Sequence, residues 1–372
     1  MGGADKHSVL LARALRAKGH EVAFLATNFG PLEWDDGVFV SCTVVGETRD
    51  SLDLRKGGAV ARKAFWNHEA AAAMHHLVRT FRPDVVHVHK LYPQLSVAPL
   101  ATASRLGVPV VQTAHDYEGI SASPYDSSGD WRDRHDSKAS YRLLNTATFP
   151  VRRHARRHFV DAWISVSGFL ARAYERHGIT STVLPNFIDA SDIPPPAAFE
   201  SRSGFAYVGS LIADKGVQDV VELARRVPDI DVTIAGDGPL RDAVEDASRQ
   251  LPNLTWLGRR SAQEVRDLMS NARVMIIPSH CDDAGPLVAV EAMAAGTPIV
   301  AYGRGGLTEY VGAGGLLARD VRELAEQARH LHEAPVDWSE KSQAGWHAAS
   351  SRHSIPGYLS DLERVYEAVQ KR

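Results

Sequence analysis

Asp283 and Glu291 stand eight positions apart in Asp283-Ala-Gly-Pro-Leu-Val-Ala-Val-Glu291-Ala-Met-Ala-Ala-Gly-Thr-Pro298. Asp283 lies in a loop of small residues. Glu291 lies on the helix predicted by the spacing of Leu287, Val290, Ala294 and Ala295 and ended by Gly296. Gly285, Pro286, Leu287 and Val288 make the entry to that helix. Such an entry offers free backbone N–H groups and the positive end of the helix dipole, a setting that suits a diphosphate. Two carboxylates beside it can accept hydrogen bonds from hydroxyl groups. Two solvated acids on an amphipathic helix is the competing reading. A second cluster, His87-Val-His89, puts two imidazoles on one side of a strand. The sequence shows no third or fourth ligand nearby, so a metal is not expected there.

These residues need a scaffold, and the chain alternates short apolar strands with amphipathic helices. Expected strands are Glu21–Ala26, Val85–Val88, Val108–Thr113, Ala162–Val166, Ser181–Leu184, Ala206–Val208, Asp231–Ala235, Thr255–Leu257, Val274–Ile277 and Ile299–Ala301. The alternation predicts α/β architecture with parallel sheets covered by helices on both faces. At 372 residues the chain is long for one core, and two domains are expected. The proline-rich Ile193-Pro-Pro-Pro196 and the polar run to Gly204 mark the boundary. That division gives an N-terminal domain over 1–190, a C-terminal domain over 201–350 and a final amphipathic helix within 351–372, carried by Tyr358, Leu359, Leu362, Val365, Tyr366 and Val369.

Composition is that of an ordinary globular chain, 44% hydrophobic and 23% charged. A net charge of −3 gives no reason to expect nucleic acid. Two cysteines, Cys42 and Cys281, imply no disulfide framework and fit a reducing, cytoplasmic compartment. No apolar run approaches the roughly 18 residues of a membrane span, and no basic-then-apolar leader opens the chain. Between Glu118 and Val160 the sequence is polar and irregular, with Ser127-Ser-Gly-Asp130 and then Arg152-Arg-His-Ala-Arg-Arg-His158. This stretch is expected to select the acceptor. Its basic run reads as a solvated helix face. The alternative is peripheral contact with anionic lipid headgroups on the inner face of a membrane, Phe149 and Phe159 flanking the charges.

The Asp283–Glu291 segment resembles the signature of retaining, nucleotide-sugar-dependent glycosyltransferases of family 4, which have the GT-B fold. That signature has an acid, seven residues, then Glu followed by Ala-Met-Ala. The first acid there is usually Glu; here it is Asp283, one methylene shorter. Ala272-Arg-Val-Met-Ile-Ile-Pro278-Ser279 is similar to the family's apolar strand ending in Pro-Ser. Pro298-Ile-Val-Ala-Tyr and Gly305-Gly-Leu-Thr-Glu309 resemble its next strand and Gly-Gly-x-x-Glu turn. Tyr207-Val-Gly209-Ser210-Leu-Ile-Ala-Asp-Lys215-Gly216 resembles the element whose arginine and lysine hold the donor diphosphate. Lys215 stands at the lysine position, and Ser210 replaces the arginine. Arg259 or Arg304 could supply the missing charge. Ala235-Gly236-Asp237-Gly238-Pro239-Leu240 resembles a structural turn, and Leu257-Gly258-Arg259-Arg260 the segment whose backbone meets the nucleobase. Pro83-Asp84-Val-Val-His87-Val-His89 resembles the family's strand ending in histidines.

The resemblance implies two Rossmann-like domains facing across a cleft, with the last helix crossing back to the N-terminal domain. It implies transfer of a sugar from a nucleotide-diphosphate donor to a hydroxyl of a glycan or lipid-linked acceptor, with retention and without a metal or other cofactor. Cell-envelope, exopolysaccharide or glycolipid synthesis is the implied setting. Lys215 would stabilise the leaving diphosphate, Asp283 orient the sugar, Glu291 bind the ribose, and His115, in Val110-Val-Gln-Thr113-Ala-His115-Asp116-Tyr117, brace the sugar. A strand-end histidine with a purely structural role is the other reading of His115.

Met1-Gly2-Gly3-Ala-Asp-Lys-His7 resembles the glycine-rich loop after the family's first strand, so Gly2 and Gly3 are expected near the donor. A helix through Leu10, Leu11 and Leu15 follows, closed by Gly19. The strand expected before Gly2 is absent from this sequence, which suggests a late start site or a truncation. Its loss leaves its neighbours in the sheet without partners. Two rivals stand beside this reading. A nicotinamide-dependent dehydrogenase requires Gly-x-Gly-x-x-Gly after a strand, and Gly236-Asp-Gly238 lacks the third glycine. A non-catalytic sugar-nucleotide-binding subunit of a transferase pair draws on Ser210, Asp283 and the absent strand.

Overall fold

The structure, a computed structural model, describes residues 3–27, 37–40, 61–91, 94–122, 139–189 and 195–371. Gly2, Cys42, Ser127–Asp130 and Pro194, the first proline of the boundary stretch, lie outside the described residues. The chain forms two compact units, Met1–Leu184 with Leu359–Arg372, and Pro185–Tyr358. The first division therefore falls ahead of the proline-rich stretch. Asn186 Nδ2 donates to the Gly285 carbonyl, the Phe187 ring meets Tyr358, and the Ile188 N–H donates to the His353 carbonyl. Composition marks where the chain turns irregular, whereas these contacts decide which core it joins.

The second unit holds one six-stranded parallel sheet. Its strands are β7 (Ser203–Val208), β8 (Val232–Ala235), β9 (Leu254–Trp256), β10 (Ala272–Ile277), β11 (Ile299–Tyr302) and β12 (Gly315–Ala318). Their order is β12-β11-β10-β7-β8-β9. Alternate residues feed two cores. Phe205, Tyr207, Val274, Ile276, Val300 and Tyr302 enter one; Ala206, Met275, Ile277, Ile299 and Ala301 enter the other. That period of two explains why the strands read as unbroken apolar runs: both faces are covered by helices. The sequence reading lacked β12, because Gly-Leu-Leu-Ala is too short to show a period.

The first unit contains β1 (Phe24–Thr27), β2 (Gly37–Val40), β3 (Val86–Val88), β4 (Val110–Ala114), β5 (Ala162–Ser165) and β6 (Thr182–Val183). Strand β2 was not expected. Strands β3-β4-β5-β6 make a four-stranded parallel sheet and β1-β2 a separate parallel pair. Among the described residues β1 and β3 do not pair with each other. A cavity of about 1,090 Å³ is lined by both, including Phe24, Leu25, Val86 and Val88. Helix Gly3–Ala17 starts at the second expected glycine, and Gly19 follows it with φ +98°.

One correction concerns a helix. The stretch from Glu118 to Val160 is not irregular throughout, since Ala139–Phe159 is a 21-residue helix with Pro150 inside it. The sequence reading gave a helix face only to the basic run, whereas the helix reaches back to Ala139 across Pro150. The last helix, Ile355–Gln370, buries Tyr358, Leu359, Leu362, Val365 and Val369. From Leu359 onward it belongs to the first unit. No helix of the described residues is long and apolar enough to cross a membrane.

Candidate active site

In the second unit the chain runs β7-β8-β9 toward one edge of the sheet, then β10-β11-β12 toward the other. Strands β7 and β10 are neighbours at the reversal, and their carboxyl ends open the crevice where doubly wound sheets bind ligands. Gly209, Ser210 and Lys215 follow β7. Ser279, Asp283 and helix Leu287–Ala294 follow β10. The topology thus gathers segments that lie some seventy positions apart in sequence.

Lys215 Nζ donates to Asp283 Oδ1 at 2.5 Å, and Ser279 Oγ donates to Asp283 Oδ2 at 2.7 Å. Both carboxylate oxygens of Asp283 are therefore engaged by side chains of this unit. The shorter acid spans the gap to the lysine, so Asp283 is placed as the partner that fixes Lys215. The Lys215 side chain remains 32% exposed and Asp283 15%. Ser279 was visible in sequence only as the end of a Pro-Ser strand.

Two glycines explain why these loops meet. Gly216 takes φ +70°, and a Cβ there would stand 1.9 Å from the Pro278 carbonyl oxygen. Only glycine lets the turn carrying Lys215 lie against the end of β10. The same contact is tied by the His280 N–H, which donates to the Asp214 carbonyl. Gly236, at φ +152°, brings the Gly236–Leu240 turn against the Gly209 carbonyl, where a Cβ would fall 1.8 Å away. Leu211 N–H donates to Asp237 O, and Leu240 N–H to Leu211 O. The turn supports the Gly209–Ser210 loop. From the far side, Gly306 N–H donates to the Asp283 carbonyl at 2.6 Å.

Helix Leu287–Ala294 begins after Pro286, which makes no side-chain cap. The first-turn N–H groups, those of Leu287 and Val288 among them, have no partner within a helix. Asn186 holds Gly285 through its carbonyl. Glu291 is half-buried on the next turn of this helix. Ser210 is exposed, and its carbonyl accepts from Tyr207 Oη. Arg259 is exposed after β9. Arg304 donates to the His280 carbonyl at 3.1 Å, which anchors it beside the Asp283 loop. Of the two arginines suggested as substitutes for the missing charge, Arg304 has the defined position. Gly3, the described member of the N-terminal glycine pair, is exposed at the start of its helix.

In the first unit His115 directly follows β4. Its Nε2 lies 3.0 Å from His89 Nδ1, sharing a proton with it. The His7 ring stands 4.9 Å from that of His115 and 5.5 Å from that of His89. The expectation that His89 has no third ligand nearby is overturned. His7 lies on the first helix and His115 at the end of another strand, so sequence distance concealed both. His87 turns the other way and is held between Tyr366 Oη and Thr113 Oγ1, each at 2.7 Å. Burial holds His87, His89 and His115 in their neutral forms, reinforced by the neighbouring histidines, and pushes His115 down to about 3, with Lys90 adding to the effect.

The basic run is also corrected. Arg152 and Arg156 are buried at 1% exposure each, and both pair with Glu118, Arg156 at 2.5 Å and Arg152 at 3.5 Å. Burial alone would raise the Glu118 carboxyl; the two guanidiniums outweigh it and hold it below its ordinary value. His154, Arg157 and His158 form the exposed side of the helix, and the Arg157 guanidinium donates to the His177 carbonyl. The run is thus half structural, which leaves few of its charges for a lipid surface.

The chain matches the family described as Glycosyltransferase Family 4 over residues 1–192 and that described as Glycosyl transferases group 1 over residues 202–334. It belongs to the family 4, group 1 glycosyltransferases, and its fold is GT-B. Glycogen synthase of Mycobacterium tuberculosis is 29% identical, over 100% of this chain and 92% of that protein. Among solved structures, sucrose-phosphate synthase from Thermosynechococcus elongatus superposes with a TM-score of 0.74 at 17% identity, covering 99% of this chain and 93% of that one. Anabaena HepE in complex with UDP and glucose superposes with a TM-score of 0.69 at 16% identity, covering 99% and 96%.

Proposed function

We propose that this glycosyltransferase moves a sugar from a nucleotide-diphosphate donor to a hydroxyl of a glycan or lipid-linked acceptor, with retention of configuration and without a metal. The observation that carries the reading is the convergence at the β7/β10 reversal of Lys215, its partner Asp283 and the uncapped start of helix Leu287–Ala294. A cation and a helix N-terminus at one crevice suit a diphosphate leaving group. The HepE complex with UDP makes a uridine donor the first to test.

In this reading the bond from the anomeric carbon to the diphosphate oxygen breaks while a bond to the acceptor oxygen forms on the same face. The acceptor's proton passes to the departing phosphate oxygen. Lys215 and the first-turn N–H groups around Val288 stabilise the charge that develops there. Asp283 holds Lys215, Glu291 binds ribose hydroxyls, Arg304 adds positive charge that Ser210 does not provide, and His115 serves the transferred sugar. A retaining glycosidase would instead require two carboxyl groups about 5 Å apart across the bond, one of them free to attack. Asp283 is already committed to Lys215 and Ser279.

The test is a thermal-shift panel with UDP, GDP, ADP and their sugar conjugates, followed by assay of donor hydrolysis and of transfer to glycan and lipid-linked acceptors. Stabilisation by one nucleotide sugar, with slow hydrolysis and retained configuration in the product, is expected. Folded protein that no nucleotide stabilises would remove the reading.

A further inference from the structure

We propose that His7, His89 and His115 form a binding site for a divalent transition ion of the zinc type, and that an ion there inhibits sugar transfer by occupying His115. One ligand nitrogen from each residue lies within 4.8 Å of the other two. Three imidazole nitrogens around zinc stand about 3.4 Å apart, from a metal–nitrogen distance of about 2.1 Å in tetrahedral geometry. The His89 Nδ1 to His115 Nε2 separation of 3.0 Å is already close to that figure. His7 is 1% exposed and closes the group from the first helix. Small side-chain rotations bring the third nitrogen in, and the fourth coordination position stays open, as in three-histidine sites.

Binding requires that the proton shared between His89 Nδ1 and His115 Nε2 move to the far nitrogen of its ring. His87 is excluded as a ligand because Tyr366 and Thr113 hold both its nitrogens. Lys90 is the cation that opposes metal entry, and Asp116, 3.6 Å from its ammonium, offsets it. The ion would bridge the first helix to the ends of β3 and β4. Imidazole donors and an open tetrahedral position select zinc(II), cobalt(II) or similar ions over magnesium or calcium.

Metal binding does not depend on the functional reading above; inhibition does, through His115. The full chain is titrated with zinc(II) against a chromophoric indicator and with cobalt(II) by visible absorption. The expected result is one site per chain, weakened at least tenfold in both His7→Gln and His89→Gln and unchanged in His154→Gln and His158→Gln, a pair whose rings stack on the helix surface. Zinc X-ray absorption of the unsubstituted protein should show three imidazoles, a readout independent of how the variants fold. Full affinity in folded His7→Gln, loss in the helix-surface variants, or fewer than three imidazoles would each overturn the site. Zinc should inhibit transfer at the concentration that fills the site, and His7→Gln should shift inhibition at least tenfold higher. Binding with undiminished transfer would overturn the inhibitory role and the assignment of His115 while leaving the metal site in place.

Discussion

Asp283→Asn tests whether the acid of the signature acts on substrate or through Lys215. The substitution keeps shape and the bond from Ser279 but removes the charge that holds the lysine at 2.5 Å. A hydrogen bond between charged groups contributes about 1.5–3 kcal/mol. With Lys215 32% exposed, the lower part of that range applies, about 1.5–2 kcal/mol. If all of it goes into misplacing the lysine, kcat falls roughly 10- to 30-fold at about 1.4 kcal/mol per decade. Lys215→Met removes the cation itself and should cost about 100- to 1,000-fold, the range for losing one preorganised donor to a developing anion.

The double variant decides. If Asp283 works through the lysine, adding Asp283→Asn to Lys215→Met costs less than about threefold, and the coupling energy equals nearly the whole single effect of about 1.5–2 kcal/mol. The assay is transfer at saturating donor, with the folded fraction of each variant measured in parallel. Losses that multiply would mean that Asp283 touches the sugar independently, and the positioning argument would fall.

Glu291→Ala should lower transfer at least about 100-fold while thermal unfolding moves little, because the side chain is half-buried beside the proposed ribose position; near-normal activity would remove Glu291 from the site. Gly216→Ala forces a Cβ to 1.9 Å from Pro278 O at positive φ and should destabilise the second unit by about 1–3 kcal/mol, with a larger loss of kcat than of stability. Glu118→Gln removes the carboxylate that both buried guanidiniums face and should cost the first unit about 3–5 kcal/mol in denaturant unfolding; a cost below about 1 kcal/mol would refute the buried triad. The neutral histidines of the first unit have pKa values below their unfolded value, so the unfolded chain binds more protons as pH falls below about 6.5, and stability drops toward acid. Each half-buried ring contributes at most about 1.4 kcal/mol between pH 7.5 and 5.5, and His89→Gln should shrink the drop measured by chemical denaturation.

How much of this was legible in the sequence differed between the units for a physical reason. In the second unit the strands are buried on both faces, so apolar runs mark them, and the site loops follow strands in order. Asp283 and Glu291 stood out as acids on a small-residue loop and the helix that follows it, and Lys215 stood out only through the resemblance of its loop to the family's diphosphate-binding element. What could not be seen was that Asp283 points its carboxylate at Lys215, since 68 positions separate them. In the first unit the informative contacts join distant elements. His7 reaches His89 and His115, Glu118 reaches Arg152 and Arg156, and Tyr366 reaches His87. Each of those side chains has an ordinary exposed reading when taken alone, and only burial converts it into a partner.

The order of the six-stranded sheet explains why loops of unremarkable composition make a site. A parallel strand leaves its loop at the carboxyl end, and neighbours wound in one direction have crossovers covering that end. Where the winding reverses, between β7 and β10, the two following helices lie on opposite faces and the loops diverge, leaving an opening. The loops after those two strands are the ones carrying Lys215 and Asp283. Gly216 against Pro278 O and Gly306 N–H on Asp283 O then fix the two loops to their surroundings through backbone contacts. The position of the lysine ammonium is thereby set by main chain plus one carboxylate, and residues elsewhere on the rim, such as Ser210 and Arg259, can vary without displacing it. On the proposed reading, the charge that Ser210 does not carry is supplied from another loop at the same opening. Arg304, bonded to His280 O on the loop that leads to Asp283, satisfies that condition. Arg304→Gln should therefore cost more in transfer than Arg259→Gln, and restoring Ser210→Arg should recover activity in the Arg304→Gln background; equal losses and no recovery would show that Lys215 and the helix terminus carry the leaving group unaided.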